Sequence, residues 1–307
     1  MYTPQVITSG EVAYGYQGPI GMISAIDIDS SINVSHLPYE IPFSSNLRLE
    51  RTRWVNYELN TASFPGLAFN MDSLYDVQEA DGTDAENGDL VASWVSADTT
   101  SRILTQSNAA LRPTYESDVL AFNHQPGVLF STDGYYVEYT GGKSITNFLH
   151  NGAGATATIC FSYDSANPGT LLSTLSNSAS NIGLEIAVDG SGSVITRVGN
   201  GSATYVVEST TSGGTLVDGY AYVVTVRHST AGSPQFDVRV NSTSEDSGSY
   251  TGSASGSSST DDLTIGSQTG GSNGFGSHIF AVVLASSYVA DAYALQAENR
   301  LLNRIGQ

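Results

Sequence analysis

Alternation of apolar and polar residues dominates the chain from about residue 88 to residue 286. In Thr156–Tyr163, the set Ala157, Ile159, Phe161 and Tyr163 falls on one side of an extended strand, and the hydroxyl residues fall on the other. Leu184, Ile186 and Val188 alternate before Asp189-Gly190-Ser191-Gly192, and Val194, Thr196 and Val198 alternate after it. This predicts a β-hairpin, because Asp-Gly supplies turn conformations that other residues resist. Asn200-Gly201 marks a second turn. Tyr220, Tyr222, Val224 and Val226 predict another one-sided strand, followed by Phe236, Val238 and Val240. Residues 242–262 are rich in Ser, Thr, Gly and Asp and read as a long exposed loop with room for one edge strand. Short strands at this spacing predict a sandwich or barrel.

One helix is predicted, at the C-terminus. Ser286 or Ser287 can cap it, and Asp291 lies in its first turn. Val289, Ala292, Leu295, Leu302 and Ile305 share a face, and Arg300 and Arg304 complement the dipole at its end. A single amphipathic helix on an all-β chain is expected to dock on the sandwich.

The first 87 residues differ. Prolines and aromatics are dense, and Ile23, Ala25, Ile26, Ile28, Ile32 and Val34 allow one or two strands. So short a segment makes a poor independent core, so residues 1–87 are expected to be a docking arm or small β region. Tyr14, Tyr16, Tyr39, Arg48, Arg51, Arg53 and Trp54 are the candidate docking residues. The acidic, Gly-containing stretch Glu79–Asp89 is the expected linker, and residues 88–307 the sandwich.

Composition narrows the function. The 307 residues carry 11 Lys+Arg against 30 Asp+Glu, a formal charge of −19, which repels phosphate backbones and argues against nucleic-acid partners. The single lysine, Lys143, leaves no polybasic membrane patch. No stretch approaches the ~18 apolar residues that span a bilayer. The start lacks the charged and apolar regions of a secretory signal, so no membrane or secretory role is expected. One cysteine, Cys160, excludes an intrachain disulfide framework and a multi-thiolate metal site; its place among core positions predicts a quiet, half-buried thiol.

Two ordered sets of residues resemble a known family. Leu263-Thr264-Ile265-Gly266, then Phe275-Gly276-Ser277-His278-Ile279-Phe280, then the helix ending Glu298-Asn299-Arg300-Leu301-Leu302-Asn303-Arg304-Ile305-Gly306 form one. Trp94, Arg112-Pro113-Thr114-Tyr115, Pro126-Gly127-Val128-Leu129-Phe130 and Asp133-Gly134-Tyr135-Tyr136-Val137 form the other. Together they resemble concanavalin A-like lectin/glucanase domains of the laminin-G-like type, over residues 88–307. Ser131-Thr132 interrupts the usual run into Asp-Gly. The resemblance implies an all-β, concanavalin A-like jelly-roll sandwich with one C-terminal helix. It is similar to domains of tailed-phage structural proteins: tail fibres, head fibres and capsid decorations.

Glucanases of this fold carry Glu-x-Asp-x-x-Glu on a strand, where two carboxylates flank the scissile bond. The nearest match, Glu79-Ala80-Asp81-Gly82-Thr83-Asp84, ends in Asp and sits among turn residues. Calcium, as bound by lectins of this fold, needs converging oxygen ligands. Asp189 with Ser191, and Asp261 with Asp262, read instead as turn and strand-cap residues. The five histidines, His36, His124, His150, His228 and His278, show no metal-ligand spacing, and no Gly-x-Ser-x-Gly elbow joins a strand to a helix. No catalytic residue, cofactor or metal is therefore expected. Sugar contacts would require an aromatic beside hydrogen-bonding groups, for which Tyr135, Tyr136, Tyr139, Tyr250, Asn273 and Phe275 are the candidates.

Three readings follow. The first is a non-enzymatic virion structural protein on the particle exterior, as capsid decoration, cement or fibre. It would dock to a major capsid or tail protein through residues 1–87 and assemble as a homo-oligomer. The second is a carbohydrate-binding adhesin that recognises a host surface glycan. The third is a glycan hydrolase with an unrecognised site.

Overall fold

The computed structural model describes residues 64–307, apart from residues 75, 98–101 and 176–177, and the backbone of two short strands nearer the N-terminus. Contacts divide the chain into Met1–Val55 and Asn56–Gln307. In the first unit, β1 (Pro4–Val6) pairs antiparallel with β2 (Tyr14–Tyr16), so Tyr14 and Tyr16 lie on a hairpin strand. Tyr39, Arg48, Arg51, Arg53 and Trp54 lie outside the described residues, as does the expected strand region 22–34.

The second unit is a sandwich of two antiparallel sheets with one C-terminal helix, as the alternation predicts. The first sheet holds β3 (Leu67–Asp72), β7 (Thr114–Val119), β8 (Gln125–Leu129), β10 (Ala155–Ser162), β15 (Ala221–His228), β16 (Phe236–Val240), β17 (Thr243–Gly248) and β19 (His278–Ala285). Its order is β17-β16-β15-β10-β19-β8-β7. Strand β19 pairs along one side with β10, while on its other side His278–Ile279 meet β8 and Ala281–Ala285 meet β3. The second sheet runs β14-β13-β12-β11-β18-β9-β6-β5-β4. Those strands are β4 (Val77–Gln78), β5 (Ser93–Val95), β6 (Ile103–Thr105), β9 (Val137–Tyr139), β11 (Gly169–Ser173), β12 (Ile182–Val188), β13 (Val194–Asn200), β14 (Val207–Thr210) and β18 (Leu263–Ile265).

Strands β3 and β4 fall inside the segment expected as an arm, yet both are rungs of the sandwich. The division of contacts lies between Val55 and Asn56, not between 87 and 88. The acidic stretch Glu79–Asp89 is the turn joining β4 to β5 within one sheet rather than a linker. Its backbone closes through Glu79 N donating to Thr83 O at 2.9 Å and Ala85 N donating to Val77 O at 2.8 Å. The hairpin at Asp189 forms as expected, with β12 against β13 and Val188 opposite Val194. The Asp189 carboxylate organises its loop by accepting the Ser191 and Ser193 backbone N–H groups, each at 2.9 Å. Gly266 shows why Ile265 must be followed by glycine. Its φ is +93°, and a Cβ there would stand 2.0 Å from the Phe130 ring.

The main core fills the space between the sheets. Ala157, Ile159 and Phe161 of β10 meet Leu184, Ile186 and Val188 of β12, together with Trp94 and Phe275. The hydroxyl side of β10 does not face solvent, because helix α1 (Asp291–Arg304) and its approach cover it. Thr156 donates to Ser287 O at 2.8 Å, and Thr158 bonds Thr225 at 3.1 Å. Cys160, expected to be half-buried, is fully buried with Phe280 under Leu301 and Ile305, and burial pushes its thiol pKa well up.

The helix turns a different face to the sheet than its apolar pattern suggests. Ala294, Ala297, Glu298 and Leu301 are buried, while Ala292 is exposed. The sheet's outer face carries two buried arginines, and these draw carboxylates inward. Arg239 donates to Glu298 Oε1 at 2.9 Å and Oε2 at 3.3 Å. Arg227 pairs with Asp237 and reaches Asp291 at 2.6 Å. At the far end Arg304 grips Asp72 of β3 through contacts of 2.5 and 3.1 Å.

Truncating Glu298 would leave the Arg239 guanidinium buried, with Asp237 at 3.9 Å as its remaining carboxylate. Glu298→Ala is expected to lower stability by about 3–5 kcal/mol in urea unfolding. A loss below about 1 kcal/mol would show that the pair is dispensable.

Candidate functional site

A cleft of about 750 Å³ opens on the outer face of the first sheet, beyond the C-terminal end of α1. Ser162 of β10, Ser277 just before β19, His278 at the start of β19, and Glu116 of β7 lie in it together with Ile305, Gly306 and Gln307. The register explains the grouping. Glu116 lies opposite Gly127 of β8, and the missing side chain there keeps the space between Glu116 and His278 open. A Cβ on Gly127 would stand 2.8 Å from the Phe122 ring and 3.3 Å from His278 Cβ. His278 therefore reaches across, and its Nε2 lies 2.8 Å from Glu116 Oε2.

A serine, a histidine and a carboxylate thus stand in line. Ser162 Oγ, however, is only 3.4 Å from His278 Nδ1, and it also bonds Ser277 Oγ at 2.7 Å and accepts the His278 backbone N–H at 3.2 Å. The hydroxyl is buried and held by two partners besides the ring. These hydrogen bonds tie β7, β10 and β19 together across the cleft floor.

The rim is different. Tyr220 is 61% exposed and Leu120 is 78% exposed, so both present apolar surface at the mouth. Around them stand Asp118, Asp164 and Asp218. Asp218 accepts the Ser165 backbone N–H at 2.6 Å, and its hydrogen bonds with Ser165 hold its carboxyl below the usual range. Asp164 accepts from Ala166 N at 2.9 Å and Asn167 Nδ2 at 2.6 Å. Asp118 contacts His124 at 2.7 Å. No lysine or arginine is among the described residues that line the cleft. Burial pushes the Tyr163 hydroxyl up, and the nearby carboxylates of Asp189, Asp218 and Asp164 push it further. Among the described residues, no group of three or more His, Cys, Asp or Glu side chains could hold a metal ion.

The sugar-contact candidates from the sequence lie elsewhere. Phe275 is fully buried, edge-on to Phe161 at 5.9 Å, and Tyr136 is buried as well. Tyr139 packs edge-on to Phe69 at 5.1 Å, and Tyr135 packs against the main core. Asn273 adopts φ +51° and donates to Thr170 Oγ1 at 2.8 Å, as a turn residue does. Tyr250 is half-buried, with its hydroxyl 2.6 Å from His228 Nδ1. None of the six lines the cleft. Tyr220, by contrast, has the parity of Tyr222 and reads from sequence as a core position. It lies one residue before β15 and is exposed. The only sequence signal for it is its place directly after Asp218-Gly219, a turn.

Compared by sequence, the chain matches no protein-family model and no curated protein. Its fold does resemble solved structures. The binding domain of Paraclostridial Mosquitocidal Protein 1 aligns at a TM-score of 0.51 and 11% identity over 78% of this chain and 53% of that one. A Trypanosoma rangeli sialidase, solved with a difluoro-KDN compound, aligns at 0.50 and 14% over 79% of this chain and 33% of the sialidase. A Ruminococcus gnavus CBM40 domain bound to α2,3-sialyllactose aligns at 0.46 and 14% over 56% of this chain and 96% of the domain. The chain thus spans about half of the mosquitocidal binding domain and a third of the sialidase. The first two likenesses establish a shared sandwich fold.

Burial of His228, the partner of Tyr250, makes stability depend on pH. His228 is wholly buried, with Nε2 3.0 Å from Leu149 O, and burial pulls its pKa from 6.5 down to about 4. Between those values the unfolded chain binds a proton that the folded chain refuses, so stability falls as pH drops through that window. The loss from this group alone is about 3 kcal/mol. The imidazole resonance of His228 should stay at its neutral position until about pH 4. A titration midpoint near 6.5 would contradict its burial.

Proposed function

We propose that this chain is a carbohydrate-binding β-sandwich that works by recognition, without covalent chemistry, and that it is carried on the exterior of a virion. The observation that carries the binding reading is exposed Tyr220 at the mouth of a polar cleft. A sugar ring has an apolar C–H face and a rim of hydroxyls. The tyrosine ring matches the first, and the carboxylates of Glu116, Asp118, Asp164 and Asp218 accept hydrogen bonds from the second. Leu120 widens the apolar strip.

Recognition over catalysis is supported by Ser162, whose hydroxyl is held by Ser277 Oγ at 2.7 Å and the His278 backbone N–H at 3.2 Å, both closer than the His278 ring at 3.4 Å. The virion setting rests on the resemblance of residues 88–307 to tailed-phage domains. In it, the region before the sandwich, including Tyr14, Tyr16 and the Arg48–Arg53 cluster, docks a homo-oligomer on a capsid or tail protein, and the cleft faces a host surface glycan.

Tyr220→Ala is expected to weaken glycan binding about tenfold or more, equivalent to about 1.4 kcal/mol, with an unchanged circular dichroism spectrum. Undiminished binding would place the site elsewhere. Mass spectrometry of purified virions should find the chain in the particle, and its absence from particles would overturn the setting while leaving the binding reading intact.

A further inference from the structure

The cleft's charge restricts what it can hold. It is lined by four carboxylates, Glu116, Asp118, Asp164 and Asp218, and by no lysine or arginine among the described residues. Two of the four face an imidazole: Glu116 lies 2.8 Å from His278, and Asp118 lies 2.7 Å from His124. Asp164 accepts from Ala166 N and Asn167 Nδ2, and Asp218 accepts from Ser165, so among the described residues both are bonded to uncharged donors. No cationic side chain among the described residues offsets their charge at the cleft. The surrounding chain adds to this field, with a net charge of −19.

Resting on the glycan-binding reading of this cleft, we infer that it selects glycans free of acidic groups. It rejects sialylated, uronate-containing and sulfated ones, and it favours a free amino sugar over the N-acetylated form. An anionic sugar would bring its carboxylate or sulfate against Asp164 and Asp218 with no cation to receive it, and like charges brought together disfavour the wrong partner. A protonated amine meets the same carboxylates as an attractive partner. Uncharged hydroxyls donate to them without any change in net charge. Tyr220 and Leu120 supply the stacking surface shared by all these ligands, so they do not discriminate among them. Selection between charged and uncharged glycans thus falls to the acidic rim.

The inference is tested on a glycan array with the full chain. The probes are sialylated glycans beside their desialylated parents, and N-acetylated chito-oligomers beside their deacetylated forms. At about 20 mM salt, where the Debye length is roughly 20–30 Å, each desialylated parent should bind at least tenfold better than its sialylated form. The deacetylated oligomers should bind better than the acetylated ones. Both preferences should shrink several-fold at about 0.5 M salt, where screening is short-ranged. The double variant Asp164→Asn with Asp218→Asn should narrow the sialylated-to-parent ratio. Equal or tighter binding of the sialylated forms, or a ratio indifferent to salt, would overturn the inference while leaving carbohydrate binding standing. Failure of every glycan to bind would overturn the carbohydrate reading itself.

Discussion

Burial of one strand pair on both faces governs this molecule. Every residue of Ala155–Ser162 is buried, and so is every residue of His278–Ala285 after the first. A strand in a two-sheet sandwich ordinarily shows one face to water. Here the outer face is roofed by the C-terminal helix, so the polar residues on it need protein partners. Thr156 and Thr158 find them in Ser287 and Thr225, and the arginines of β15 and β16 find them in Asp237, Asp291 and Glu298. The helix is thus held by charge and hydrogen bonds as well as by Leu301 and Ile305. Such geometry tolerates little slippage, because moving the helix one turn would strand several buried charges.

The same roof creates the cleft. The helix ends near Ile305, and the outer face of the sheet continues beyond it to Ser162, His278 and Glu116. Those residues lie between a covered surface and an open one. Their hydrogen bonds resemble those under the helix, but they line space that a ligand can occupy. The rim is supplied by connections outside the sheet, around Leu120, Asp164 and Asp218–Tyr220. A rigid floor with an apolar and acidic rim suits recognition of a hydroxyl-rich partner.

Much of the sandwich can be read from alternation, because its inner residues recur at every second position and its turns carry Asp-Gly, Asn-Gly or Ile-Gly. The hairpin at Asp189 and the Gly266 turn are examples. Leu67–Asp72 escaped that reading because all six residues are buried, which leaves no polar phase to count. The helix was legible as a helix but not in its orientation. Its buried face includes Glu298, and only the partner on another strand, Arg239, makes that face favourable. The cleft was the least legible feature. Glu116, Ser162 and His278 are 46 or more residues apart in sequence, and they meet only through strand order. Aromatic content pointed to Tyr135, Tyr136, Tyr139 and Phe275, which fill core and edge positions. Whether a tyrosine continues the sheet or stands just beyond its end, as Tyr220 does, depends on neighbours that the local sequence does not reveal.

The cleft beyond the helix is the surface expected to meet a ligand. Amide chemical-shift mapping during titration with a glycan that binds tests this directly. The predicted result is perturbation confined to residues around Glu116–Ala121, Ser162–Asp164, Asp218–Ala221, Ser277–His278 and Ile305–Gln307. Perturbation centred instead on Tyr135–Tyr139, Tyr250 or the outer face of the second sheet, with the cleft silent, would contradict it.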